Sequence, residues 1–74
     1  MEFDSLIHLA NRIGLLFASM PDRAEALECI AEHIQYFWER RARAKLLEHV
    51  DAKDGIGLDT IVLDALQAHR AILL

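Results

Sequence analysis

The sequence predicts an all-α protein, a small bundle of three or four helices. Apolar residues recur at three- and four-residue steps along most of the chain, which is the period of an amphipathic helix. The composition also favours helix over strand, because aliphatic residues and alanine are abundant while the 74 residues include one proline and three glycines. At this length we expect one domain over residues 1–74.

The first helix is predicted from Ser5 to Ala18, with Asp4 as its N-cap. Its apolar stripe consists of Leu6, Ala10, Ile13 and Phe17, widened by Leu9 and Leu16. Gly14 lies on this stripe, although a glycine in a helix costs up to ~1 kcal/mol relative to alanine. We therefore expect another backbone to approach the helix closely at Gly14.

The strongest amphipathic pattern follows Pro21, which is expected in the first turn of a second helix. The apolar positions of this helix are Ala24, Leu27, Ile30, Ala31, Ile34, Phe37 and Trp38. We expect Ile34 and Phe37 inside the core and Trp38 at its edge. The pattern continues through Ala42, Leu46, Leu47 and Val50. A single helix from Ala24 to His49 and a bend after Trp38 are therefore both open.

The end of the chain is predicted to contain a loop and one more helix. Residues 51–57 (DAKDGIG) read as the loop, with two glycines supplying a permissive backbone. Asp59 is expected to cap a helix from Thr60 to about Ala71. Its apolar face would consist of Ile61, Ala65, Leu66 and Ile72.

The charge and the apolar content together point to a protein partner. The net charge of −4 argues against a generic nucleic-acid binder. Residues 38–45 (WERRARAK) nevertheless carry four basic side chains and one acidic one. This basic stretch is either a solvated helix face paired with Glu39 and Glu48 or a contact surface for an acidic partner or nucleic acid. A hydrophobic content of 54% is high for a short chain, and exposed apolar surface commonly marks a protein interface.

The sequence contains no pattern that predicts catalysis, a metal site or a membrane span. Cys29 and His33 share a helix face, but a metal site needs about four ligands. The four histidines are scattered, and no nucleophile is evidently paired with one of them. The longest apolar run, residues 13–18, is far shorter than the ~20 residues of a spanning helix. The acidic N-terminus lacks the basic start of a secretory signal, so we expect a cytoplasmic protein.

Two blocks of the sequence resemble a known family. Residues 6–21 read LIHLANRIGLLFASMP, and residues 30–43 read IAEHIQYFWERRAR. These blocks, with a last helix that is also similar, resemble the delta subunit of the NAD-dependent, molybdenum-containing formate dehydrogenases. That family has an Ala-Asn-Gln-Ile-Gly block, a proline turn, an Ile-Ala-(Asp/Glu)-His-Ile block and Phe-Trp-Asp-Pro-Arg-Met-Arg.

The resemblance implies a non-catalytic accessory subunit that binds no redox cofactor itself. Its implied partners are the large molybdenum-containing subunit and the subunits that carry the iron–sulfur clusters and flavin, with no nucleic acid and no membrane. Its implied role is to assemble or stabilise that complex. The partner-binding residues taken from the matching blocks are Asn11, Gly14, His33, Trp38, Arg41 and Arg43.

The sequence departs from the family pattern at the most informative block. Glu39, Arg40 and Ala42 stand where the family has Asp, Pro and Met. The missing proline matters most, because a proline at this position would force the helix to break after Trp38. The alternative function is a small helical DNA-binding or regulatory module that uses the basic stretch Arg40–Lys45. It is the weaker hypothesis, because no glycine turn precedes that stretch and its flanks are acidic.

The first testable prediction concerns metal. Because the pair Cys29 and His33 is not a ligand set, the purified protein should be colourless and free of stoichiometric metal. Elemental analysis of the wild type and of Cys29→Ser checks this. Stoichiometric zinc or iron in the wild type that is lost in the variant would contradict it.

Overall fold

The computed structural model describes residues 3–74, and it describes side-chain surroundings from Ser5 onward. This part of the chain forms five α-helices and no strand. They are α1 (Phe3–Phe17), α2 (Arg23–Phe37), α3 (Arg40–Lys53), α4 (Thr60–Ala68) and α5 (Arg70–Leu73). The all-α class is confirmed. The predicted number of three or four helices holds for the long ones only, because the four-residue α5 is separate from α4.

Helix α1 carries the expected stripe, with two corrections at its ends. Leu6, Ala10 and Ile13 are buried, and Phe17 packs against the core. Asp4 already lies inside the helix, so the helix does not begin after an N-cap at this residue. Leu16 was expected to widen the stripe, but it is 68% exposed because it lies outside the face that the other helices cover.

Helix α2 is the central element, because it packs against α1, α4 and α5. Asp22 is its N-cap, with a carboxylate oxygen that accepts the backbone N–H of Glu25 at 3.3 Å. Pro21 was expected in the first turn of this helix, and this expectation is wrong because Pro21 precedes the cap. The side chains buried along the helix are Ala26, Ile30, Ala31 and Ile34. Ala24, which the sequence pattern placed on this face, is exposed.

The chain bends between α2 and α3, although no proline is present there. Trp38 (φ −99°, ψ 140°) and Glu39 (φ −64°, ψ 149°) are both extended, so the single-helix alternative is wrong. The stripe of Ile30 and Ile34 continues at Trp38, which packs against the core. Arg43 then donates from Nη1 to the Gln35 carbonyl at 3.2 Å, so it satisfies a carbonyl that the end of α2 leaves free.

Helix α3 is longer than the sequence indicated and ends in a tight turn. It continues to Lys53, so the predicted loop at residues 51–57 begins three residues later. Asp54 takes the left-handed conformation at φ 56°. Gly55 follows at φ 70°, and a Cβ there would lie 2.6 Å from a methyl group of Leu63. The buried ring of His49 contacts the loop, with Nε2 2.6 Å from the Ile56 carbonyl oxygen.

The last predicted helix is divided in two. Asp59 is the N-cap of α4, but its side chain makes no capping hydrogen bond. The chain leaves helical geometry at His69 (φ −119°, ψ 31°), and α5 turns Leu73 into the core. Arg70 forms a two-pronged ion pair with Asp51, with N···O distances of 2.9 and 2.7 Å, which ties α5 to α3.

The close approach predicted at Gly14 is present, but side chains make it and not a backbone. Gly14 is buried against α4. A Cβ on this residue would lie 2.6 Å from Cγ2 of Val62 and 3.2 Å from Cγ2 of Ile61. The glycine therefore allows α1 and α4 to pack closely, which explains why a residue unfavourable to helices stands in the middle of α1.

The structure predicts that Gly14→Ala destabilises the protein. Overpacking a core contact typically costs ~1–3 kcal/mol, which exceeds the gain of up to ~1 kcal/mol in helix propensity. Denaturant unfolding of the variant measures the net loss. The same substitution in a Val62→Ala background should cost less, since the methyl group it meets is gone. A more stable Gly14→Ala would show that α1 and α4 are not in tight contact.

Candidate functional site

An open apolar cleft lies at the bend between α2 and α3. Its volume is about 470 Å³, and its lining residues are Leu6, Leu9, Phe37, Trp38, Glu39 and Ala42. We call it the corner cleft. It forms because α3 turns away from the axis of α2 at Trp38 and packs on α1, which leaves the ends of the three helices around a shared space.

A row of three rings runs along α1 and α2 to this cleft. Phe17 and His33 meet edge to face with ring centroids 6.2 Å apart. His33 and Phe37 lie one helical turn apart on α2, with centroids at 4.7 Å. We call Phe17, His33 and Phe37 the aromatic row. Because Phe37 also lines the corner cleft, the row and the cleft form one continuous surface.

Phe37 corrects the expectation from the sequence. It was expected in the core, but 74% of it is exposed. The reason is the bend: α2 ends at Phe37, and Trp38, four residues after Ile34, takes the next buried position instead. Trp38 is at the edge of the core, as predicted. Apart from its contact with His33, the ring of Phe37 is left open to solvent, and exposed apolar surface of this kind is typical of contact surfaces.

The basic stretch borders the cleft, and the structure does not pair it with the acidic residues we considered. Arg41 and Lys45 line a smaller pocket that shares Leu6, Glu39 and Ala42 with the corner cleft. We call Arg41 and Lys45 the basic rim. Both are exposed, and neither forms an ion pair within the described residues. On a continuous helix Trp38 and Arg41, three residues apart, would share one face; because the chain bends after Trp38, they line adjoining pockets instead.

Asn11 holds the loop before α4 against α1. Its amide nitrogen donates to the carbonyl of Gly57 at 2.9 Å, and its amide oxygen accepts the backbone N–H of Asp59 at 2.8 Å. The second bond satisfies the backbone N–H of the N-cap residue itself. Asn11 therefore takes the part that a Glu or Gln at the third position of a helix takes in a capping box.

The six residues predicted for partner binding fall into two groups. His33, Trp38 and Arg41 lie on or beside the corner cleft and the aromatic row. Asn11, Gly14 and Arg43 are engaged within the chain, with the loop before α4, with α4 and with the end of α2 respectively. Phe37 and Leu9 were not predicted to line a surface cleft. No local signal distinguishes Phe37, because its spacing of three and seven residues from Ile34 and Ile30 is also that of a buried helix face, and its exposure follows from the bend.

Cys29 and His33 stay apart from any metal-ligating cluster. Among the side chains of residues 5–74, no three His, Cys, Asp or Glu come together as a possible metal site. Cys29 is half-buried. Burial raises the pKa of its thiol, and the carboxylates of Glu25, Glu32 and Glu28 raise it further. At neutral pH the group is a thiol, the less reactive form for nucleophilic attack and for metal binding.

Fold and site together define a class of protein: a small all-α chain whose prominent exposed feature is an aromatic and apolar surface bordered by positive charge. Comparison with protein families then identifies it more closely. The model of the NADH-dependent formate dehydrogenase delta subunit family, FdsD, matches residues 5–66 of the 74, and the chain belongs to this family. Comparisons with curated proteins and with solved structures found no match.

No helix in the described part of the chain has the length and apolar character needed to cross a membrane.

The two bonds of Asn11 predict that removing its side chain destabilises the protein. Asn11→Ala removes both hydrogen bonds to the loop before α4, at ~0.5–1.5 kcal/mol each. For a domain of this size 1 kcal/mol corresponds to a shift in Tm of roughly 4–8 °C. Thermal unfolding should therefore show a Tm lower by several degrees. Arg12→Ala, an exposed neighbour with no polar contact in the described chain, is the control and should leave Tm nearly unchanged. Equal Tm values for both variants would contradict this role for Asn11.

Proposed function

We propose that this protein is a non-catalytic accessory subunit of a cytoplasmic NAD-dependent formate dehydrogenase. In this proposal it binds the large, molybdenum-containing subunit and assembles or stabilises the complex with the iron–sulfur and flavin subunits. The corner cleft and the aromatic row are the docking surface. The observation that carries the proposal is the exposed ring of Phe37 beside Trp38 in a chain of the delta subunit family.

The composition of this surface supports a docking role. Aromatic residues and arginine supply most of the binding energy at protein interfaces, and such residues cluster in pockets that become dry on binding. Phe37 and Trp38 provide the aromatic part, and Arg41 provides a planar fork of donors suited to a carboxylate. Arg43 contributes indirectly, because its bond to the Gln35 carbonyl holds α3 against the end of α2 beside the cleft.

Co-purification tests the proposal. Tagged chain, expressed in its native host, should recover the molybdenum-containing subunit together with its iron–sulfur and flavin partners. Phe37→Ala and Arg41→Ala should each weaken binding to the purified complex. Truncating an interface hot spot costs ~2 kcal/mol or more, which is roughly thirtyfold in affinity. Because both side chains are exposed, neither substitution should unfold the chain, and melting curves verify this.

The chain offers close matches as controls. Tyr36 is as exposed as Phe37, at 74%, but lies about 100° further around α2 and does not line the cleft. Arg40 is an exposed neighbour of Arg41 that does not line the smaller pocket. Tyr36→Ala and Arg40→Ala should therefore bind like the wild type. Recovery of no dehydrogenase subunit by the wild-type chain would overturn the proposed function, and equal binding by all four variants would move the interface to another face.

A further inference from the structure

We propose that the corner cleft and the aromatic row receive an amphipathic α-helix of the partner, with acidic side chains where it passes the basic rim. This inference rests on the proposed function and specifies which kind of segment in the dehydrogenase complex is bound. The shape of the surface and its charge both restrict what fits.

The spacing of the rings suits the side chains of a helix. Neighbouring rings of the aromatic row have centroids 6.2 and 4.7 Å apart, close to the ~5.4 Å rise of one helical turn. Two turns present apolar residues at positions i, i+4 and i+7 along one face. The row then opens into the corner cleft, where Leu6, Leu9 and Trp38 supply the apolar walls. A helix lying along this surface would insert one larger side chain into the cleft.

The geometry of the backbone disfavours an extended segment. A strand binds a protein mainly by adding to the edge of a sheet, where backbone groups are unpaired. Residues 3–74 contain no strand, so this part of the chain has no sheet edge to offer. The surface is built from side chains that protrude from helices, and such surfaces bind the apolar face of another helix.

The charge around the cleft predicts that the partner segment is acidic and indicates where its acidic residues lie. The chain carries a net charge of −4, whereas residues 38–45 carry a net charge of +3. Arg41 and Lys45 are exposed and have no ion-pair partner in the described chain. An acidic helix would therefore be attracted to this corner and repelled by most of the remaining surface. Glu39 lines both pockets and would repel an acidic side chain of the partner. The acidic residues of the partner helix are therefore expected over the basic rim and not over Trp38.

Site-specific photo-crosslinking identifies the occupant. Phe37 is replaced by p-benzoylphenylalanine in the tagged full-length chain, the complex is isolated from the native host and irradiated, and mass spectrometry locates the crosslinked segment. The expected product is a segment of a dehydrogenase subunit with apolar residues at helical spacing and a cluster of Asp or Glu. The same photoreactive residue at Tyr36 is the control and should yield no such product.

A charge-reversal variant tests the basic rim separately. Arg41→Glu combined with Lys45→Glu should weaken binding to the purified complex by at least about tenfold at low salt, because like charges then face each other. High salt should reduce the difference between this variant and the wild type. Lys53→Glu, a single charge reversal at the far end of α3, is the control for a lysine outside the basic rim and should bind nearly as the wild type does.

Four results would overturn the inference. The first is a crosslink from position 37 to a second copy of this chain, and the second is a crosslink to nucleic acid. The third is a crosslink to a segment without helical apolar spacing or without acidic residues. The fourth is co-purification with the dehydrogenase combined with equal crosslinking from positions 36 and 37, which leaves the accessory-subunit proposal intact but places docking elsewhere. Failure of the wild-type chain to co-purify is a different outcome and counts against the proposed function itself.

Discussion

The contact between α1 and the start of α4 is the constraint on which the rest of the structure depends. Gly14 lets the two helices come within a distance that a single methyl group would block. One turn earlier, Asn11 holds both the carbonyl of Gly57 and the N–H of Asp59. A small residue and a polar clamp on the same side of α1 thus set where α4 begins. Helix α2 then packs against both, and the core closes around Ile30 and Ile34.

This arrangement leaves the other side of the bundle available for contact with another molecule. One side of α1 packs against α4. Leu9 lies on another side of α1 and borders the end of α2, where the chain bends. At the bend, Trp38 packs against the core and Phe37 remains exposed. The corner cleft is therefore a consequence of how the helices end, whereas the aromatic row extends from it along one side of α2. Arg43 stabilises the same bend from the following helix.

Periodicity predicted the all-α class and most of the core, but not where helices stop. The stripe of Leu6, Ala10 and Ile13 was correct because a buried helix face needs only the right spacing. The position of Phe37 was wrong because a bend changes which residue faces inward. The resemblance to a family singled out Asn11 and Gly14, but it could not show whether these residues stabilise the fold or bind a partner. Their roles depend on contacts 46 or more residues away, which no local pattern contains.

The position of Trp38 also makes the chain optically informative. The sequence contains one tryptophan, and it lies half-buried at the boundary between the core and the corner cleft. Indole emission responds to the polarity around the ring, so fluorescence from this protein originates at the bend between α2 and α3. Unfolding would expose the ring to water, whereas a molecule seated in the cleft would remove water from it. The two events should move the emission maximum in opposite directions, which makes a spectral titration of the unmodified protein a direct reporter of occupancy.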